Sequence, residues 1–145
     1  MATRINDALA QVRSACAPLD PERVPLEQAL GRALVTGIRS ELALSPFANS
    51  AMDGFAVRAA DTTGAPVTLG VCGEARAGSP FSGEIGPRSA VRIATGAMLP
   101  DGADAVVRVE NCEPDGTAIR IGTSVSPGTD VRAAGDDVAI GDLVV

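Results

Sequence analysis

Ser50-Ala51-Met52-Asp53-Gly54-Phe55-Ala56-Val57-Arg58 runs from small residues through an Asp-Gly pair into an alternating segment. Asp-Gly marks a tight turn, and the residues after it carry the period of a strand. The stretch therefore predicts a carboxylate held at a loop edge in front of a β-strand. An Asp-Gly pair alone is an ordinary turn, so the weight of the reading depends on the rest of the chain. Similar strand-like runs follow at Val67–Val71, Ala90–Ile93, Ala105–Val109 and Ala118–Ile121, each bounded by Gly, Pro or Asp. Glu113-Pro114-Asp115-Gly116-Thr117 predicts a hairpin turn, and Ser79-Pro80-Phe81-Ser82-Gly83 a second loop.

Composition supports a β-rich fold. Of 145 residues, 46% are hydrophobic, yet only three are aromatic, all Phe, so the core must be built from Val, Ile, Leu and Ala. Gly and Pro number 16 and 10, well above the roughly 12% combined usage of globular proteins, as expected for many short strands joined by turns. The helical signal is confined to the start. Ile5, Leu9, Val12 and Cys16 recur at helical spacing, with Thr3 as N-cap and Pro18 ending the pattern. Pro25, Leu26, Leu30 and Gly31 predict one or two further helical turns, and Arg32–Ser40 reads as extended. The expected fold class is mainly β with one or two helices. The expected organisation is an N-terminal helix over 1–20, a discontinuous linker and dimerisation subdomain over 21–45 and 126–145, and a β subdomain inserted at 46–125. Leu143-Val144-Val145 reads as a strand cut from a larger protein.

The formal charge of −6 arises from 18 acids and 12 Arg, with no Lys and no clustering of the arginines, which argues against nucleic-acid binding. The absence of His removes His-based general bases, Ser-His-Asp triads and His-containing zinc sites within this chain. Cys16, Cys72 and Cys112 have no CxxC spacing and are expected to be buried and reduced. No apolar run approaches the 18 or so residues of a membrane span, so no membrane association and a cytoplasmic location are expected.

Chemistry must then come from carboxylates, hydroxyls, Arg or backbone. Asp53 is the first candidate. Thr95 is the second, because Val91, Ile93 and Thr95 share one strand parity and Gly96 opens the chain to a ligand. Asp136 and Asp137 are adjacent, and in an extended chain only one of them faces a given site. A turn Asp, a strand-closing Thr and a solvated acidic turn are the plain alternatives.

Three segments together resemble the molybdopterin molybdenumtransferase family, which includes MoeA and the gephyrin E domain: Ser50–Arg58; Val91-Arg92-Ile93-Ala94-Thr95-Gly96-Ala97-Met98-Leu99-Pro100 with Asp104-Ala105-Val106-Val107 and Glu110; and Gly135-Asp136-Asp137-Val138. The resemblance runs from about Leu26 to Val145 and covers the family's N-terminal region, without the pterin-binding domain. It implies a fragment of the enzyme that inserts molybdate into adenylylated molybdopterin, acting as a homodimer, with this chain alone inactive. A free-standing MoeA-like binding or oligomerisation module is the alternative. Carried over by position, Asp53, Thr95 and Asp137 are the implied catalytic residues. Ser50, Gly54, Gly96, Arg132, Gly135 and Asp136 are the implied substrate-binding residues. Asp53 and Asp137 are hard oxygen ligands of the kind Mg²⁺ takes, and a divalent cation would reconcile carboxylates with anionic substrates. Phe55 stands where the family often has Tyr, and Ala133-Ala134 lacks basic residues found there in some members.

Overall fold

Gly54-Phe55-Ala56-Val57 forms a strand, β2, buried along its whole length. It is buried on both faces because it lies inside a six-stranded sheet and because apolar side chains cover each side of that sheet. The computed structural model describes residues 4–17 and 19–145. Its strands are β1 (Asn49–Ser50), β2 (Gly54–Val57), β3 (Val67–Ala75), β4 (Ser89–Ile93), β5 (Ala105–Arg108), β6 (Cys112–Asp115), β7 (Ala118–Ile121) and β8 (Val131–Arg132). The large sheet has the order β5-β2-β4-β3-β7-β6. All its pairings are antiparallel except β3 with β4, which run parallel with a bulge between Val71 and Gly73.

Alternation along the strands sends successive side chains to opposite faces. On one face Phe55, Val57, Leu69, Ala90, Val107, Ile119 and Ile121 pack together. On the other, Ala56, Ala75, Ile85, Val91, Ile93, Ala97 and Val106 form a second cluster. The sheet curls around these two aliphatic cores, and each fully buried Leu, Ile or Val contributes roughly 1.5–3 kcal/mol.

Asn49 and Ser50 of β1 pair with Arg132 and Val131 of β8. The same antiparallel course continues outward through bridges of Leu44 with Val138 and Arg39 with Leu143. The Ile38 amide donates to the Val145 carbonyl and the Val144 amide to the Ile38 carbonyl, both at 2.9 Å. Segments far apart in sequence thus run side by side next to the sheet.

The chain divides into two compact units at Gly37. The first contains α1 (Ile5–Ala15) and a single 3-10 turn at Leu26–Gln28, with Glu22 and Arg32 paired. The expected N-cap Thr3 and stop Pro18 lie outside the described residues; Arg4 occupies the cap position without a side-chain cap. No residue of α1 is buried.

Two expectations are sharpened and one is corrected. Strand β6 extends through Glu113-Pro114-Asp115, and the turn is only Gly116-Thr117. Pro114 is accommodated because β6 is an edge strand, where a missing N–H on the outer side costs no ladder bond. Within the expected extended segment Arg32–Ser40 no strand forms: Val35 and Thr36 make a bend, and Arg39 alone bridges, to Leu143. The cysteines are free, as expected, but Cys16 and Cys72 are exposed and only Cys112 is partly buried, its thiol pushed up to about 11 by burial and by nearby Glu110.

Candidate active-site cleft

Strand β4 ends at Ile93, so the parity of Val91 and Ile93 does not continue to Thr95, which lies in an exposed turn. Gly96 sits at φ 77°, a left-handed conformation that favours glycine, and a Cβ added there would meet nothing within 4 Å. This turn is tied to β1: the Ser50 amide donates to the Ala97 carbonyl at 3.0 Å, and the Gly96 amide donates to the Ser50 carbonyl at 2.8 Å. Thr95 is thereby placed beside the turn that carries Asp53.

Asp53 Oδ1 accepts hydrogen bonds from the Thr95 amide at 2.7 Å and from Thr95 Oγ1 at 2.8 Å. The amide, then the hydroxyl, then the positive charge of Arg92 hold the carboxyl below the usual carboxylate range, against an opposing effect of desolvation. Oδ2 has no hydrogen-bond partner among the described residues. Asp53 is therefore an ionised, oriented carboxylate with one oxygen free.

Its neighbours in sequence serve the backbone. A Cβ on Gly54 would overlap the Val107 carbonyl oxygen, so glycine at this position is what lets β2 and β5 approach. Ser50 is buried, and its hydroxyl donates to the Met52 carbonyl at 2.5 Å, shaping the turn.

Asp53 and Gly54 line a cleft of about 520 Å³ together with Glu74, Arg76, Arg92 and Val109. Glu74 and Arg76, two residues apart in its lining, pair at 2.8 Å. A second cleft, of about 380 Å³ around Glu110, Asn111, Glu113 and Arg120, contains none of the expected site residues.

The remaining expected residues form another cluster. Gly135 at φ 73° turns the chain, its amide donating to the Ser45 carbonyl at 2.8 Å, while the Asp137 amide donates to the Leu44 carbonyl at 3.0 Å. Asp136 and Asp137 thus belong to a turn rather than an extended segment. Asp137 Oδ1 accepts from Arg132 Nη2 at 2.8 Å, and Asp136 is exposed. The structure brings together Ser50, Asp53, Gly54, Thr95 and Gly96 on one hand and Arg132, Gly135, Asp136 and Asp137 on the other. The two groups adjoin opposite partners of the β1–β8 pair, and Asp53 and Asp137 hold separate partners.

Sequence reading missed two features. Arg108 makes a bidentate ion pair with Asp130 at 2.8 and 2.9 Å, and the Asp130 carbonyl accepts from the Ala51 amide at 2.9 Å, bracing the Asp53 turn. Asp130 stands at φ 52°, which no sequence pattern announced. Glu74, Arg76 and Arg92 were also missed, although Arg92 between Val91 and Ile93 is a charged residue at an outward strand position.

The profile described as "MoeA N-terminal region (domain I and II)" matches residues 3–145. The chain belongs to that family. Molybdopterin molybdenumtransferase 2 of Mycobacterium tuberculosis is 41% identical over 141 residues, covering 94% of this chain and 34% of its relative. Molybdopterin molybdenumtransferase of Haemophilus influenzae is 42% identical over 130 residues, covering 88% of this chain and 32% of its relative. The crystal structure of the molybdopterin biosynthesis MoeA protein from Pyrococcus horikoshii OT3 is similar with a TM-score of 0.79 and 37% identity, over 86% of this chain and 34% of that one. The chain thus spans about a third of the length of the curated relatives it matches. The mainly β fold expected from sequence is the fold of this MoeA region. Among the described residues no helix is long and apolar enough to cross a membrane.

Proposed function

We propose that this MoeA N-terminal region contributes the Asp53 cleft to the insertion of molybdate into adenylylated molybdopterin, within a homodimeric, cytoplasmic transferase. The observation that carries the reading is the Asp53–Thr95 pair: an ionised carboxylate, fixed by two donors from one residue, at the edge of a cleft in a MoeA-like fold. Asp53 and Thr95 orient groups at that cleft, and the Arg132–Asp137 turn supplies a second charged edge. The chain's relatives are named for this transferase activity.

Mg²⁺ belongs to the proposal. Among the described residues there is no cluster of three or more His, Cys, Asp or Glu that would hold a metal by itself. The free Oδ2 of Asp53 fits the way Mg²⁺ is held by one or two carboxylates plus substrate phosphates and water. When bound, the ion supplies positive charge between the carboxylate and an anionic substrate.

The test uses a full-length transferase carrying this region. Asp53→Asn keeps an oxygen to accept from Thr95 and removes only the charge; Asp137→Asn does the same toward Arg132. Each is expected to lower molybdate insertion by about 10²-fold or more with thermal unfolding nearly unchanged. Full activity of either variant refutes the role given to that carboxylate, and unfolding of Asp53→Asn would make Asp53 a structural turn residue instead.

A further inference from the structure

The charged side chains that line the Asp53 cleft differ in what they already hold. Asp53 Oδ1 is engaged by Thr95. Glu74 Oε2 accepts from Arg76 Nη2 at 2.8 Å. Arg92 has neither an ion pair within 4.0 Å nor a side-chain hydrogen bond among the described residues, yet its charge lies close enough to lower the pKa of both Asp53 and Glu74. Asp53 keeps Oδ2 free but is held through Oδ1, so among these four charged side chains Arg92 alone has no partner.

Arg92 is also rigidly carried. It sits in β4 opposite Phe55 of β2 and Glu74 of β3, with hydrogen-bonded strands on both sides. Buried Val91 and Ile93 fix its outward parity. A site built on a strand is held more tightly than one on a loop. The two Arg and two acidic side chains of the cleft cancel in charge, whereas the whole chain carries −6, so an anion entering here escapes the repulsion it meets elsewhere on the surface. A guanidinium presents a planar fork of donors that matches two oxygens of a tetrahedral oxyanion.

We propose that Arg92 is the oxyanion-binding residue of this cleft, gripping a phosphoryl group or molybdate beside Asp53. The proposal rests on the transferase reading of the cleft and names the residue through which an anionic substrate is held there. Phosphoryl and molybdate oxyanions share the required chemistry, and the experiment separates them.

The ¹⁵N-labelled chain would be titrated at low salt with inorganic phosphate, AMP and molybdate in turn, beside Arg92→Gln, Arg92→Lys and the control Arg120→Gln from the other cleft. Saturable shifts confined to residues 53–54, 74–77 and 92–95 are expected, with movement of the Arg92 Nε–H signal. Affinity should fall at least tenfold in Arg92→Gln, less in Arg92→Lys, which keeps the charge and loses the fork, and not at all in Arg120→Gln. Response to phosphate and AMP alone identifies a phosphoryl group, and response to molybdate alone identifies the metal oxyanion; both support the assignment. Non-saturating shifts spread over many arginines, or equal affinity in wild type and a folded Arg92→Gln, overturn it. Should Arg92→Gln fail to fold, unchanged affinity in Arg92→Lys overturns it instead. The transferase reading fails separately: activity retained in Asp53→Asn removes that reading, whereas the binding shifts report on Arg92 alone.

Discussion

Asp53 owes its orientation and its ionisation to a single residue that donates twice. Because the amide and hydroxyl of Thr95 both favour the charged form, the folded-state pKa lies below the ordinary Asp value of 3.8. The sign follows from linkage: a depressed carboxyl stabilises the fold fully above the unfolded pKa, and the contribution is lost as pH falls through the lowered folded value. Thr95→Val removes the hydroxyl donor and leaves the amide, so it is expected to bring the Asp53 pKa partway back up. Carboxylate ¹³C titration by NMR measures both proteins directly. Identical curves would show that the amide acts alone. The same two-donor arrangement explains why Asp53 stood out only incompletely from sequence: Asp-Gly predicts the turn, but a hydrogen bond spanning 42 positions has no local signature.

At the scale of elements, β2 depends on an atom that is missing. A Cβ at Gly54 collides with the backbone of Val107, which β2–β5 pairing fixes in place, so Gly54→Ala must force β2 and the edge strand β5 away from each other. Overpacking of this kind costs about 1–3 kcal/mol. Gly96→Ala meets no atom and is penalised only by its left-handed backbone, about 1–2 kcal/mol. Chemical denaturation should show both losses, and NMR should tell the variants apart: Gly54→Ala should broaden signals of β5, and Gly96→Ala those of the Thr95 turn. Equal, purely local effects would mean that β5 simply moves aside. The strands around β2 were legible because apolar alternation and Gly or Pro punctuation are local signals. The runs at 55–57, 67–71, 90–93, 105–109 and 118–121 each coincide with most of a strand. β6 was hidden by Pro114, since a proline argues against a strand unless its edge position is known, and edge position is a property of the whole sheet. The Arg108–Asp130 brace and the Glu74–Arg76–Arg92 side of the cleft were illegible for a similar reason. Each depends on which strands become neighbours, and the parallel β3–β4 pairing that sets Glu74 beside Arg92 is not encoded within either strand.

Beyond single elements, the N-terminal unit by itself leaves an apolar helix face uncovered. Ile5, Leu9 and Val12 are 86%, 46% and 59% exposed, although they lie on one side of α1. An isolated helix of this length is marginal in water without tertiary contacts, and a two-fold contact between copies would bury the stripe reciprocally. The proposed homodimer is therefore expected to use this face. Sedimentation should show a dimer for the wild type and a monomer for Leu9→Asp; a dimer in both would move the interface elsewhere, and monomers in both would end the dimer proposal for this chain. The strand order has a consequence of another kind, in time. β2 is made early, yet its neighbours β4 and β5 come later in the chain, with β3 synthesised in between and placed beyond β4. A chain emerging from the ribosome at about 5–20 residues per second must hold one edge of β2 unpaired until Arg108 is available, and β1 must wait for Arg132. Loop closure over such separations precedes any gain from pairing, which slows folding relative to a meander of adjacent hairpins. During that interval the apolar residues of β2 have no complete sheet to join, so the segment that anchors the finished fold is also the one that most needs shielding while the protein is being made.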